Sequence, residues 1–503
     1  MKEEKPFSNS YWLETTVEDS PFPPPDRLKS TNLGMLFLEQ AEEIKHKCFA
    51  AFRDQADDQW STISWEEATC HVLKLLRTLS LTFHTRPGER TVIISSNRWE
   101  ALLCDIAAVC SGAAVVHAPP GITPAQVSDL MQQAAPTVIC LEGSAQAASL
   151  NEARLQTDAA QWAKEIKGII YFDALTNTPS GFTHAASMLI SGILMPAEKL
   201  SAEAIIQAKN TASRIPSTAA AAIYFPALTQ DAGQTSPIDK AAMMQTHANC
   251  LAMLGSLLLS ALLGPGDNIY LDHPLPCAFI RACAYAAIAL GGSLIFPTAL
   301  DGAPGTHPAA VLLRQFRRDM RDSHPAVVLT GTTLLEELRR TVTNQPKRLL
   351  QWSLAERNRP CFPKAPANQS ALERLRHELA QAVLSKLRSS WLGLRIQHIL
   401  ASGPPIVAGE TSEFFEALHT PVLQGLWRHE ASGAVCSNTS RWKKRGSLGR
   451  LFEGIEAYTA PTGELYVRGS AVCGPAGEWR AAGVTAALDS DGYLWLNPPP
   501  AQT

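Results

Sequence analysis

The sequence predicts an α/β protein: two βαβ-type subdomains with mostly parallel sheets, followed by a small β-rich subdomain at the C-terminal end. Three observations predict this. Short apolar strand-like runs alternate with helical patterns of about ten to fifteen residues between 91 and 141, as in a parallel sheet covered on both faces. The same alternation returns between 269 and 335. From 396 onward, short strands are separated by glycine-containing turns instead.

Residues 1–28 contain PFPPPDR and read as an extended lead-in. Over 32–45, Leu33, Leu36, Phe37 and Ala41 fall on one helical face. Ser64 followed by Glu67 is a capping box, opening a helix that runs to about 83. Pro87-Gly88 turns into a strand over 91–94, and a helix over 99–111 ends at Gly112. A strand over 113–117, a helix over 124–134 and a strand over 137–141 complete the first unit. The second unit reads strand 269–271, helix 279–290, strand 293–296, helix 308–322, strand 325–329 and a helix from 333. Residues 345–369, rich in Pro, Asn and Arg, read as an irregular excursion. Turns at Gly446, Gly454, Gly463 and Gly492 punctuate the last part, and the prolines after Asn497 cannot continue a strand ladder. The expected division is a lead-in over 1–28, an α/β region over 29–400 and a β-rich subdomain over 401–497.

At 503 residues, 46% hydrophobic and 18% charged, the chain has material for more than one core and none of the composition of a disordered protein. A net charge of −3 gives no support for nucleic-acid binding. The eleven cysteines form no C-x-x-C pair, and no signal peptide precedes them; they read as reduced thiols in a cytoplasmic protein. The apolar runs over 251–263 and 283–296 are too short, the second broken by Gly291-Gly292, for the ~20 residues of a spanning helix. No transmembrane segment is expected. The basic run from Arg441 to Arg445 reads as a solvated loop, with an acidic partner or peripheral contact with anionic lipid as the sharper alternative.

The most informative stretch is 223–250, IYFPALTQDAGQTSPIDKAAMMQTHANC. An apolar strand leads through a loop holding Gly233, Thr235 and Lys240 into a helix start at Thr246-His247. Backbone N–H groups and one ammonium in that arrangement can hold phosphates. The loop is nevertheless poor in glycine, and Asp231 and Asp239 would repel a phosphate.

Several segments together resemble one family. SWEEA (64–68), PGERTVIISSNRWEALLCDIAAVCSGAAVV (87–116), TPAQVSDLMQQAAPTVIC (123–140), GPGDNIYLDHPLPCAFIRACAYAAIALGGS (264–293), HPAVVLTGTTLLEEL (324–338), ASGPP (401–405), RGSLGR (445–450), GELYVRG (463–469) and LDSDGYLWL (488–496) occur in the order and spacing of the adenylate-forming (AMP-binding) superfamily. Within it, the chain resembles the long-chain fatty-acyl-CoA synthetases, over roughly 30–497. The resemblance implies the N-terminal domain fold of an acyl-CoA synthetase. It also implies a reaction in which ATP and a carboxylic acid form an acyl-adenylate from which coenzyme A displaces AMP.

The residues that would carry that chemistry depart from the family pattern. Where the family has Y-T-S-G-T-T-G-x-P-K-G, this chain keeps only Gly233, Thr235 and Lys240 after Tyr224, with about eight extra residues. Where the family has Y-G-x-T-E, it has Leu426-Trp427-Arg428-His429-Glu430. Glu430 is retained as the residual catalytic candidate and as a magnesium ligand if nucleotide binds. ASGPP keeps Gly403 but has Pro404 for the second glycine. The ribose-clamping aspartate position is Val484, whose side chain cannot accept hydrogen bonds; Asp489 and Asp491 survive as turn residues. The resemblance also implies a C-terminal lid domain with a catalytic lysine, which is expected to be absent here. Residual nucleotide contacts are therefore Gly233, Thr235, Lys240, Gly403 and Glu430. An acyl pocket would lie near Cys277, Phe279, Trp427 and His429, with Cys277 read as a thiol lacking a partner base.

Whether the chain is an enzyme is left open. The leading expectation is a pseudoenzyme, an acyl-CoA-synthetase-like scaffold that binds a fatty acyl ligand or a protein partner and needs no cofactor. The alternative is an active carboxylate ligase using ATP, magnesium and coenzyme A through an altered nucleotide site, or with a lid supplied in trans.

Overall fold

Successive residues of each central strand face opposite ways, and the chain provides an apolar layer for both faces. Val92 and Ile94 enter one core while Ile93 between them enters another. That pattern demands helices on both sides of the sheet, as parallel sheets require. The computed structural model describes residues 7–8 and 28–496, apart from 54–57, 157–160, 176–181, 183, 196–200, 226–241, 273–274, 298–307, 345–347, 358–370, 404–405 and 476.

A seven-stranded sheet runs, in spatial order, Met243–Thr246, Ala220–Tyr224, Ala114–Ala118, Arg90–Ile94, Val138–Leu141, Gly168–Tyr171 and Ala186–Leu189. All its pairings are parallel except that of the first two strands. A nine-stranded sheet runs Arg450–Leu451, Gly433–Ser437, Val422–Arg428, His398–Ser402, Val327–Gly331, Asn268–Leu271, Ser293–Ile295, Cys48–Arg53 and Trp60–Ser64. It is parallel at its centre and antiparallel at both edges. The helices Leu33–Glu43, Trp65–Arg77, Trp99–Ser111, His247–Leu259 and Ala278–Ala289 contribute to the core shared by the facing surfaces of the two sheets. Outer helices close the other face of each sheet. The result is a five-layer αβαβα stack.

Local signals place the elements where the sequence expects them. Ser64 Oγ accepts from the Glu67 amide at 3.2 Å, and the Glu67 carboxylate accepts from the Ser64 amide at 2.7 Å. The Trp99–Ser111 helix stops at Gly112, whose φ of +82° favours glycine. No helix among the described residues is long and apolar enough to cross a membrane.

Three expectations change. Residues 345–369 are not wholly irregular, because a helix occupies Arg348–Arg357. The boundary at 401 falls inside the strand His398–Ser402, which lies deep in the nine-stranded sheet. The separate antiparallel sheet begins only at Ile455–Thr459, which pairs with Glu464–Gly469 and with Phe7–Ser8 of the lead-in; Arg480–Thr485 completes it. Periodicity and turns locate strands but do not say which sheet a strand joins. Finally, the run from Arg441 to Arg445 is not simply solvated. Lys443 pairs with Glu416, Lys444 with Asp489 and Asp491 at 2.6 and 3.0 Å, and Arg445 with Glu413 and Glu416 at 2.6 and 3.0 Å.

Candidate functional site

Open α/β sheets bind ligands beyond the carboxyl ends of their strands. Here the ends of Ala220–Tyr224, His398–Ser402 and Val422–Arg428 meet through the Tyr224–His429 and Trp427–Ala401 contacts. The loop with Gly233, Thr235 and Lys240 lies outside the described residues.

At these strand ends the chain's own aromatic rings pack on one another. Trp427 stacks on Phe279 with ring centroids 3.6 Å apart and an interplanar angle of 12°. Its indole Nε1 donates to the Ala401 carbonyl at 2.7 Å. Gly425 makes room for it: a Cβ there would sit 2.5 Å from the Trp427 ring. Next along the chain, His429 lies against Tyr224 with centroids 4.8 Å apart. Both rings are buried, and burial pushes the Tyr224 hydroxyl well above its ordinary pKa.

The His429–Ala431 turn is pinned from two sides. Gln245 Nε2 donates to the His429 carbonyl at 3.1 Å, and Cys473 donates its amide to the Glu430 carbonyl at 2.7 Å. Glu430 itself is buried. After the turn, Gly433 (φ +135°) lets its strand approach the Ala278–Ala289 helix: a Cβ would meet the Phe279 Cα at 3.1 Å. Cys277 is the N-terminal flanking residue of that helix and is half-buried. Gly403 has φ +82°, and its carbonyl accepts from Thr332 Oγ1 at 3.3 Å. Val484 is buried in the Arg480–Thr485 strand, with Gly483 before it at φ +61°. Asp489 accepts the amides of Asp491 and Tyr493 at 3.0 and 2.9 Å and so closes a turn.

The structure thus brings Phe279 against Trp427 and Tyr224 against His429, with Gly403 following the strand that supplies Ala401. Among the described residues no group of three or more His, Cys, Asp or Glu side chains could hold a metal ion.

Behind the crevice lies a buried polar group that the motif comparison does not single out. Asp105, fully buried on the Trp99–Ser111 helix, accepts from Arg281 Nε and Nη2 at 2.7 and 2.8 Å and from the Tyr285 hydroxyl at 2.7 Å. His117 Nε2 lies 2.6 Å from its other side. Burial alone would push the Asp105 carboxyl up; Arg281 and His117 hold it well below the usual carboxylate range. Arg281, Tyr285, Gln245, Cys250 and Ser432 line a small cavity with room for about one water. His247, fully buried nearby, accepts the Leu33 amide on Nδ1 at 3.3 Å, and burial lowers its pKa to about 4. The sequence did hold a signal: Asp105 in ALLCDIAAVC and Arg281 in AFIRACAYAA are single charges within apolar helical runs. Such charges persist when they are paired.

This architecture is that of the N-terminal domain of acyl-CoA synthetases. A long-chain-fatty-acid CoA ligase from Rhodopseudomonas palustris superposes with a TM-score of 0.64 at 14% identity, covering 93% of this chain and 99% of that one. The luciferase-like enzyme of the mealworm Zophobas morio gives 0.65 at 13% identity, covering 95% and 96%. The N-terminal domain of FACL13 from Mycobacterium tuberculosis gives 0.60 at 14% identity, covering 93% and 99%. At these identities the likeness establishes the fold. In sequence, residues 38–212 match the model of the AMP-binding enzyme family. A protein of Mycobacterium tuberculosis assigned as a fatty-acid–CoA ligase is 33% identical over 132 residues, 25% of this chain and 23% of that relative. Residues 38–212 are thus similar to AMP-binding enzymes, and the described fold is like that of an acyl-CoA ligase N-terminal domain.

Proposed function

We propose that this AMP-binding-family protein does not adenylate a substrate with ATP and acts by engaging a protein partner or an acyl ligand. The observation that carries the reading is the Trp427–Phe279 stack. Any adenine or acyl chain entering at that point must first part the two rings. That forfeits about 0.5–1.5 kcal/mol of aromatic contact. It also strands the indole N–H now bound to Ala401, at a cost of about 1–3 kcal/mol. Beyond it, His429 stands where the family has threonine, and the buried Val484 offers no acceptor to a ribose. A stacked and hydrogen-bonded ring pair at that point favours the protein partner over the acyl ligand.

Calorimetric titration with ATP and magnesium, alongside pyrophosphate release with long-chain fatty acids, tests the proposal. The expected outcome is no saturable binding in the micromolar range and no pyrophosphate. Magnesium-dependent micromolar binding, or fatty-acid-dependent pyrophosphate, would establish the rival reading of a working carboxylate ligase with a rebuilt nucleotide site.

A further inference from the structure

The small cavity beside Arg281 holds more hydrogen-bonding capacity than the side chains around it use. Arg281 is buried in its wall, and a guanidinium carries five N–H donors. Nε and Nη2 are committed to Asp105 at 2.7 and 2.8 Å. Nη1 reaches only the Cys250 sulfur, at 4.0 Å. Sulfur is a weak acceptor. A charged donor buried without an oxygen to receive it carries a desolvation cost that a bound partner would offset.

Gln245 supplies the complementary acceptor. Its Nε2 donates to the His429 carbonyl at 3.1 Å, which fixes the orientation of the amide and leaves Oε1 as the under-used end. Oε1 accepts only from the same Cys250 thiol, at 3.7 Å. The two poorly satisfied groups therefore flank one sulfur in the wall of one cavity. Tyr285 and Ser432 share that wall. The Tyr285 hydroxyl gives its proton to Asp105 at 2.7 Å and keeps its lone pairs, while Ser432 Oγ has only the Cys473 sulfur, at 3.9 Å.

We propose that this cavity is the binding site of a single buried water molecule, which accepts from Arg281 Nη1 and donates to Gln245 Oε1. The space has room for about one water, and its wall offers the roughly two to four polar partners that an internal water needs. A halide fits less well. Asp105 already neutralises Arg281, and Gln245 Oε1 would turn a lone pair toward an anion. The occupant must donate as well as accept, which water does and a halide cannot. The water completes a chain from Asp105 through Arg281 and Gln245 to the His429 carbonyl. It thereby ties the His429–Ala431 turn to the Asp105–Arg281 pair, whether or not the chain adenylates a substrate.

The test begins with a crystal structure of the full chain at a resolution that shows ordered water. A fully occupied peak is expected within about 2.7–3.2 Å of both Arg281 Nη1 and Gln245 Oε1. An empty cavity in well-ordered density would overturn the proposal. So would an anomalous peak at that point after soaking in bromide, which assigns the site to a halide. In solution, magnetic relaxation dispersion of water oxygen counts the waters held longer than the protein tumbles. Cys250→Val, whose branched side chain takes up the space, should hold one fewer than the parent chain. Cys250→Ser, which leaves the space and offers a stronger partner, should hold the same number. The unfolding midpoint of Cys250→Val should fall, because Arg281 Nη1 loses its partner; filling a dry cavity with a methyl group would raise it instead. A raised midpoint, an unchanged water count in Cys250→Val, or the same loss in Cys250→Ser would each overturn the proposal.

Discussion

His247 is held neutral by burial, with Nδ1 accepting the Leu33 amide and Nε2 without a hydrogen-bond partner among the described residues. Its pKa falls from an ordinary 6.5 to about 4 on folding. The unfolded chain therefore takes up a proton below about pH 6.5 that the folded chain refuses until about pH 4. Stability is fully present above pH 6.5 and declines across that window, by roughly 3 kcal/mol if the whole shift is realised. Urea titrations at pH 7 and pH 5 should show the decline, and His247→Asn should flatten it. Of the site itself, the replacements at Trp427, His429 and Val484 were legible from motif position alone. That Trp427 would lie flat on Phe279 was not, because motif alignment gives a residue's place in the chain and not the direction of its ring.

At the scale of elements, helices with a strong local signal matched the sequence best. The capping box at Ser64 and Glu67 and the glycine stop at Gly112 fix their helix ends through contacts within a few residues. Strand membership depends on partners hundreds of residues away, which explains why the boundary at 401 cut a strand of the larger sheet. Gly433 shows how one such long-range approach is made. Its φ of +135° strains any other residue, and a Cβ would lie only 3.1 Å from the Phe279 Cα, tighter than an ordinary contact. Gly433→Ala should destabilise the fold by about 1–3 kcal/mol, the range for a residue held in a sparsely populated conformation. Thermal unfolding of the variant beside Ser64→Ala, a cap loss of about 1 kcal/mol, would check it.

Across the whole molecule, the two large sheets meet through their inner helices, and Asp105 and Arg281 bridge the Trp99–Ser111 and Ala278–Ala289 helices at that junction. Asp105→Ala leaves a guanidinium buried without its counter-charge and should cost about 3–5 kcal/mol. Replacing both residues with apolar ones of similar size should recover most of that loss, as measured by urea unfolding. The class of fold was readable because alternating strands and helices leave a periodic record. The clamp was overlooked because a lone charge in an apolar helix becomes informative only once its partner is found, and Asp105 and Arg281 are far apart in the chain.

The nine-stranded sheet also sets an order of events on the ribosome. Cys48–Arg53 and Trp60–Ser64 are made early, yet Ala51 takes its place beside Ile295, near the middle of the chain. At roughly 5–20 residues per second, the early hairpin waits on the order of 10–50 s for its neighbour. During that interval the backbone edge of Cys48–Arg53 that Ser293–Ile295 will occupy has no strand partner, although Phe49 already has Phe37 and Trp65 to pack against. An unpaired strand edge exposed for that long is a template for wrong pairing, so the interval between the two segments is when this sheet is open to misassembly.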